Sequence, residues 1–255
     1  MAISNTKETL TISINSKIAT VTFGHPASNS FPRTLLDALT NELNSLSQNN
    51  EVSVILLQSQ GENVFCSGAS FDELLAVQNN EQGIGFFCGF ANLINAMRSC
   101  TKIIIGRVQG KSVGGGVGII AACDYAFGTK NSAIKLSEIA IGIGPFVIEP
   151  AVSRKIGKTA MTEMVLTPQT WKTAAWAQQK GLFAEVAPDI EKLDESIAIF
   201  INKLASYNPE ALFEIKKILW EGTEHWDTLL LERAKITGRL VLSDFTKNAL
   251  SQFKK

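Results

Sequence analysis

The chain opens on two short stretches in which apolar and polar residues alternate. Leu10–Ile14 (LTISI) and Ile18–Phe23 (IATVTF) are separated by Asn15-Ser16-Lys17, a pattern that predicts a β-hairpin. The period then changes. Pro32 opens a segment with Leu35, Leu36, Leu39, Leu43 and Leu46 on one helical face. Two unbroken apolar runs follow, Val52–Leu57 (VSVILL) and Lys102–Val108 (KIIIGRV). They are short and rich in β-branched residues, as strands buried on both faces are. Between them, Asp72–Leu75 and Phe86–Met97 read as helices. An apolar helical segment runs from the glycines at 114–116 to Cys123, and Asp124–Gly128 and Ala133–Leu136 as short strands. From Pro150 the pattern is mostly helical, most clearly at Trp171–Lys180, Leu193–Ala205, Pro209–Trp220 and Trp226–Leu242. Strand–helix alternation followed by helices predicts an α/β core and then a helical region, with the change of character near Gly157.

Composition narrows what such a chain does. The 255 residues carry 24 Lys+Arg and 24 Asp+Glu, so the formal net charge is zero. A protein built to bind nucleic acid usually has a basic excess, so no nucleic-acid partner is expected. Any anion must be held by local groups or backbone amides. Cysteines 66, 88, 100 and 123 form no close C-x-x-C pair, and only His25 and His225 could assist them; no metal site is expected. MAISNTKETL has no basic region leading into an apolar run, so no signal peptide is expected. The apolar stretch Val113–Phe127 is glycine-rich and contains Asp124, too broken for a membrane span. Reduced thiols and a cytoplasmic location are the expectation.

Two loops could do chemistry. Phe65-Cys66-Ser67-Gly68-Ala69-Ser70-Phe71-Asp72 leads from a strand into a short helix, where unpaired amides favour negative charge. The bland alternative is a simple strand-to-helix turn. Gly110-Lys111-Ser112-Val113-Gly114-Gly115-Gly116 places three glycines before a helix, either for tight packing or so that an amide can face a ligand. Residues Gly116–Ala121 also fit G-x-G-x-x-A, and Glu138 lies 20 residues beyond Gly118, which mimics a dinucleotide-binding fingerprint. In that fingerprint the glycines end the strand directly, whereas Gln109–Gly114 intervenes here and Gly118 falls inside the expected helix. The dinucleotide reading is therefore disfavoured.

Taken together, FCSGASFDEL (65–74), GRVQGKSVGGGVGIIAACDYAF (106–127) and IKLSEIAIGIGP (134–145) resemble the crotonase, or enoyl-CoA hydratase/isomerase, family, and the resemblance runs from about Ile12 to Trp220. It implies a spiral of ββα turns over residues 1–190 and a C-terminal helical region over 191–255 that forms a homotrimer or a dimer of trimers. It implies an acyl-CoA substrate whose thioester oxygen is held by the amides of Ala69 and Gly115, with Gly68, Ser70, Phe71, Asp72 and Gly114 at the substrate. Coenzyme A is then part of the substrate and no separate cofactor is needed. Two-carboxylate hydratases of the family carry one Glu two residues after the glycine triplet and another further on. The first position is Gly118 here; the second is Glu138.

One carboxylate can move a proton between C2 and C4 of an enoyl-CoA, because abstraction and return use the same group in alternating states. Hydration asks for an oriented water as well. Double-bond migration and hydration both stay open, as do a non-catalytic acyl-CoA-binding protein and a thioester hydrolase. Glu149 reads as a second carboxylate or, preferably, as an acid at a helix N-terminus. Asp124 reads as structural, His25 as a turn residue, and Cys66 lacks a base partner. Phe146 and Val147 are candidates for shaping the acyl pocket. Phe86, Phe87 and Phe90 could line it or pack the core, and Lys216 and Lys247 are candidate cations for CoA phosphates.

Overall fold

In a computed structural model, which describes residues 8–252, β1 (Thr9–Asn15) and β2 (Ile18–Gly24) pair antiparallel. Their turn residues Ser16 and Lys17 are left-handed, at φ 49° and 67°, which lets a two-residue loop follow the strand twist. Residues 1–7, on which the expectation about a signal peptide rests in part, lie outside the described residues. β1 is an edge strand with Ile12 and Ile14 exposed, while β2 buries Ala19, Val21 and Phe23. α1 (Arg33–Gln48) then buries all five of its stripe leucines, each worth roughly 2 kcal/mol of gross transfer energy.

The next elements repeat one pattern. β3 (Val54–Ser59), β4 (Val64–Cys66), α2 (Phe71–Ala76) and α3 (Asn80–Ser99) make the first pass. β5 (Ile103–Val108), β6 (Lys111–Val113) and α4 (Gly115–Ala122) make the second. β7 (Tyr125–Thr129), β8 (Ala133–Lys135), a 3₁₀ turn (Glu138–Ile141) and α5 (Glu149–Leu166) make the third. In each pass the first strand joins one sheet and the second strand joins another, so the ββα spiral is present. β9 (Lys172–Thr173) closes the smaller sheet antiparallel to β8. After α6 (Ala174–Gln179), β10 (Glu185–Ala187) extends the larger sheet. The orders are β1-β2-β3-β5-β7-β10 and β4-β6-β8-β9, parallel except at β1/β2 and β8/β9.

The unbroken apolar runs follow from burial on two faces. Ile55, Leu57 and Ile104 face the core built with α1, α3 and α4. Val54, Ile103 and Ile105 face the other way, onto Leu193, Ile197 and Ile201 of α7 (Ile190–Ala205). α8 (Pro209–Leu219), α9 (Trp226–Leu240) and α10 (Asp244–Ser251) complete the chain. α9 lies directly on α3, where a Cβ on Gly83 would stand 2.7 Å from the Gly238 carbonyl. α10 covers the 3₁₀ turn through Phe245 and Thr246 against Gly142.

Sequence and structure part at four places. The helix expected over Trp171–Lys180 begins only at Ala174, because Thr173 caps it by accepting from the Trp176 amide at 3.2 Å. Strands follow Gly157, so the change to helices alone comes at Ile190; Gly157 is a left-handed break (φ 77°) inside α5. β4 and β6 have three residues each, too few to show a period. α10 lies beyond Trp226–Leu242, the last helix the sequence pattern marks clearly. Among the described residues no helix is long and apolar enough to cross a membrane.

Candidate active site

The two glycine-bearing loops meet. Phe31 and Ala69 form an isolated parallel bridge in which the Phe31 amide donates to the Gly68 carbonyl at 2.8 Å and the Ser70 amide donates to the Phe31 carbonyl at 2.9 Å. The bridge uses the groups flanking Ala69 and leaves the Ala69 amide out of the ladder. Gly68 reaches this geometry with φ 93°, and a Cβ there would stand 2.9 Å from the Val113 carbonyl and 3.6 Å from the Gly115 nitrogen. On the other loop, Gly114 (φ 52°) caps α4 and its amide donates to the Lys135 carbonyl at 2.9 Å. Gly115 is the first helical residue, so its amide has no acceptor within the helix. Among the described residues neither the Ala69 nor the Gly115 amide has a hydrogen-bond partner.

Both residues line a cavity of about 110 Å³, together with Gly68, Phe71, Gly114 and Glu138. Glu138 opens the 3₁₀ turn, and a Cβ on Gly114 would lie 2.7 Å from its Oε1. Any side chain at 114 would therefore strike the carboxylate. Glu138 is half-buried as a residue, yet its Oε2 is buried with no hydrogen-bond partner. Burial pushes its pKa from 4.5 up to about 7, with the backbone amides of Glu138 and Ser137 pulling weakly the other way. Among the described residues lining the cavity, Glu138 is the only side chain that titrates in the ordinary range. A carboxylate poised near neutrality can take and give a proton at physiological pH.

Position 118 is closed to a second acid. A Cβ on Gly118 would stand 2.4 Å from Ile148 Cγ2, so Ile148 fills the space a side chain would need. Gly118 lies inside α4 rather than at a phosphate-facing turn, against a dinucleotide fingerprint. Gly118→Glu is expected to cost about 1–3 kcal/mol by overpacking, read as a lower urea midpoint. A second change, Ile148→Ala, should recover part of the loss, and an unchanged midpoint in the single variant would refute the steric reading.

The remaining candidates separate by environment. Glu149 opens α5 and is engaged by Ser153 Oγ at 2.5 Å, Lys158 Nζ at 2.5 Å and Arg233. Burial raises its pKa, but these hydrogen bonds and the Arg233 charge outweigh that and hold it at about 2. It does not line the cavity. Asp124 and Lys216 form a buried ion pair at 2.9 Å, which makes Asp124 structural and removes Lys216 from the candidates for CoA phosphates. Lys247 is exposed on α10. His25 Nδ1 accepts from the Ala27 amide at 3.2 Å and lies 3.0 Å from Ser30 Oγ, within its own turn. Burial pushes the Cys66 thiol up to about 12, so no thiolate nucleophile is available there. Ser70 is buried as the cap of α2 and Asp72 is exposed in its first turn; neither lines the cavity, unlike Phe71. Phe87 and Phe90 line it, and Phe86 packs behind them.

The turn before α5 contributes Phe146 and Val147, as the sequence suggested, and also Ile148; α9 contributes Thr237. Nothing local in the sequence marks Ile148 or Thr237, which reach the cavity through α5 and α9 packing. Among the described residues no group of three or more His, Cys, Asp or Glu side chains converges to hold a metal.

Comparison with known proteins gives a consistent picture. The chain is similar to 2,3-dehydroadipyl-CoA hydratase of Escherichia coli, 28% identical over 84% of this chain and 83% of that protein. It is similar to the short-chain-enoyl-CoA hydratase of Clostridium acetobutylicum, 26% identical over 93% and 91% of the two chains. It also matches a peroxisomal Delta(3,5)-Delta(2,4)-dienoyl-CoA isomerase of Arabidopsis thaliana, 26% identical over 71% and 69%. Its backbone superposes on an enoyl-CoA hydratase from Bacillus halodurans with a TM-score of 0.88 at 19% identity, over 96% and 99% of the chains. The enoyl-CoA hydratase/isomerase model matches residues 13–249, and the chain belongs to that family.

Proposed function

We propose that the protein is an enzyme that moves a double bond in an acyl-CoA thioester, with Glu138 as its single acid/base. The observation that carries this reading is one carboxylate at the cavity with a buried, partnerless Oε2, while the position of the second acid of two-carboxylate hydratases is Gly118, packed under Ile148. In the proposed sequence, ionised Glu138 removes a proton from C2 of a 3-enoyl-CoA. The electron pair moves into a dienolate whose negative charge rests on the thioester oxygen. The amides of Ala69 and Gly115 donate to that oxygen, a contribution of ~3–4 kcal/mol for each such donor. Protonated Glu138 then returns the same proton to C4, giving the 2-enoyl-CoA, and the carboxylate is regenerated.

Hydration is the second reading, favoured by the hydratase names of the relatives from Escherichia coli and Clostridium acetobutylicum. Incubation with 3-enoyl-CoA and with 2-enoyl-CoA, followed by mass and double-bond analysis, separates the two. Isomerisation leaves the mass unchanged while the double bond shifts. A product heavier by one water from 2-enoyl-CoA would replace the isomerase assignment with hydration, and release of free CoA thiol would indicate thioester hydrolysis. No turnover on either substrate would leave acyl-CoA binding alone.

A further inference from the structure

Beyond Glu138 the cavity is walled by Phe87 and Phe90 of α3, by Phe146, Val147 and Ile148 of the turn before α5, and by Thr237 of α9. Its volume is about 110 Å³. An apolar cavity of ~150 Å³ takes the six carbons of benzene, so by proportion this one holds roughly four to five non-hydrogen atoms, about a butyryl group with its carbonyl. The wall is chemically uniform. Its lining contains no cation, and the Thr237 hydroxyl is directed to the Arg233 carbonyl at 3.3 Å. Arg233 stands behind the wall, but its guanidinium is committed to Glu149 and, at 3.3 Å, to the Phe146 carbonyl. A terminal carboxylate on the acyl chain would find no partner there and would lose its water, which is costly.

The turn that carries this wall is also braced. The Phe146 ring packs on Gly144, where a Cβ would stand 2.5 Å from its Cζ. The Glu149 amide donates to the Pro145 carbonyl at 2.9 Å, and the Val152 amide donates to the Ile148 carbonyl at 3.0 Å. Arg233, from α9, ties both the Phe146 carbonyl and Glu149 to the C-terminal helices. The wall is thus held from within the turn, from α5 and from α9.

We propose that the site selects short, uncharged acyl groups of about four carbons, with Phe146 and Ile148 setting the limit and Arg233 acting as the positioning residue for their turn. This rests on the acyl-CoA reading above, but not on which reaction follows. It is tested by calorimetric titration of the whole protein with saturated thioesters, which bind without turnover. The probes are butyryl-, hexanoyl- and octanoyl-CoA, and succinyl-CoA as a four-carbon group ending in a carboxylate. Affinity should fall at least tenfold from butyryl- to octanoyl-CoA, and at least tenfold from butyryl- to succinyl-CoA. Phe146→Ala and Ile148→Ala should each narrow the butyryl-to-octanoyl gap at least threefold. Arg233→Gln should narrow it too, whereas a merely structural loss would weaken all four ligands alike. Equal or tighter binding of octanoyl- or succinyl-CoA would overturn the proposal. Binding in the expected order without any enoyl-CoA turnover would support it while sinking the catalytic reading; no binding of any thioester would sink both.

Discussion

Glu138→Gln is expected to lower kcat/KM by about 10²–10⁴-fold, the range a positioned general acid/base contributes, while acyl-CoA binding persists. The substitution keeps the size of the side chain and removes only its ability to exchange a proton. No other titratable side chain among the described residues lines the cavity to replace it. The pH profile supplies the sign. With a pKa of about 7, the ionised form needed to abstract a proton is the minor species below neutrality. Activity should rise about tenfold per pH unit up to about 7 and level above it. A group that must begin as an acid would show the opposite limb. Burial raises the folded-state pKa, so the carboxylate's contribution to stability is greatest below about 4.5 and declines as pH rises through 7. The neutral amide escapes that decline, so the unfolding midpoint of the variant at pH 8 should be no lower than that of the parent. Retained turnover in a folded Glu138→Gln protein would end the assignment.

Asp124→Ala should be the most damaging single change to stability, at about 3–5 kcal/mol, or roughly 6–20 °C in Tm for a domain of this size. Asp124 Oδ2 accepts from the Ile104 amide at 2.7 Å, and Oδ1 accepts from Trp220 Nε1 at 2.7 Å. Lys216 Nζ lies 2.9 Å away, with side-chain exposures of 2% for the lysine and 6% for the aspartate. Removing the carboxylate leaves a buried ammonium held only by the carbonyls of Met97 and Lys102, at 3.0 and 2.8 Å. It also orphans the indole that ties the end of α8 to the residue before β7. The double variant Asp124→Ala, Lys216→Met should recover much of the loss, because no lone charge then remains in the core. A cost below about 1 kcal/mol for the single change would show that the pair is dispensable.

Three acids of this chain are thus handled in three ways. Asp124 is saturated with donors and serves the fold. Glu149 is ion-paired at a helix start, held at about 2, and braces the wall of the cavity. Glu138 is left without a partner on Oε2 and is pushed to about 7. Only the last is in a state suited to proton transfer near neutral pH.

The local elements were legible because their signals are local. Period-two alternation marks β2, the leucine stripe marks α1, and unbroken β-branched runs mark β3 and β5, which are buried on both faces. The two loops were legible because glycine is needed where Gly68 and Gly114 take left-handed backbone and where loops touch, whereas Glu138 was reached through the resemblance. Glu149 and Lys216 could be named from the sequence as candidates, but only their partners settle their surroundings. Those partners are Arg233 and Lys158 for the first and Asp124 for the second. Ile148 and Thr237 carry no local mark at all. They reach the cavity because α5 packs on α4 and α9 packs on α3, and such contacts depend on shape complementarity between distant segments rather than on any pattern within one. The chain's own order therefore determined the alternation of strands and helices, the two glycine loops and a glutamate at 138 with a glycine at 118; the packing of α5 and α9 decided how much room lies beside Glu138.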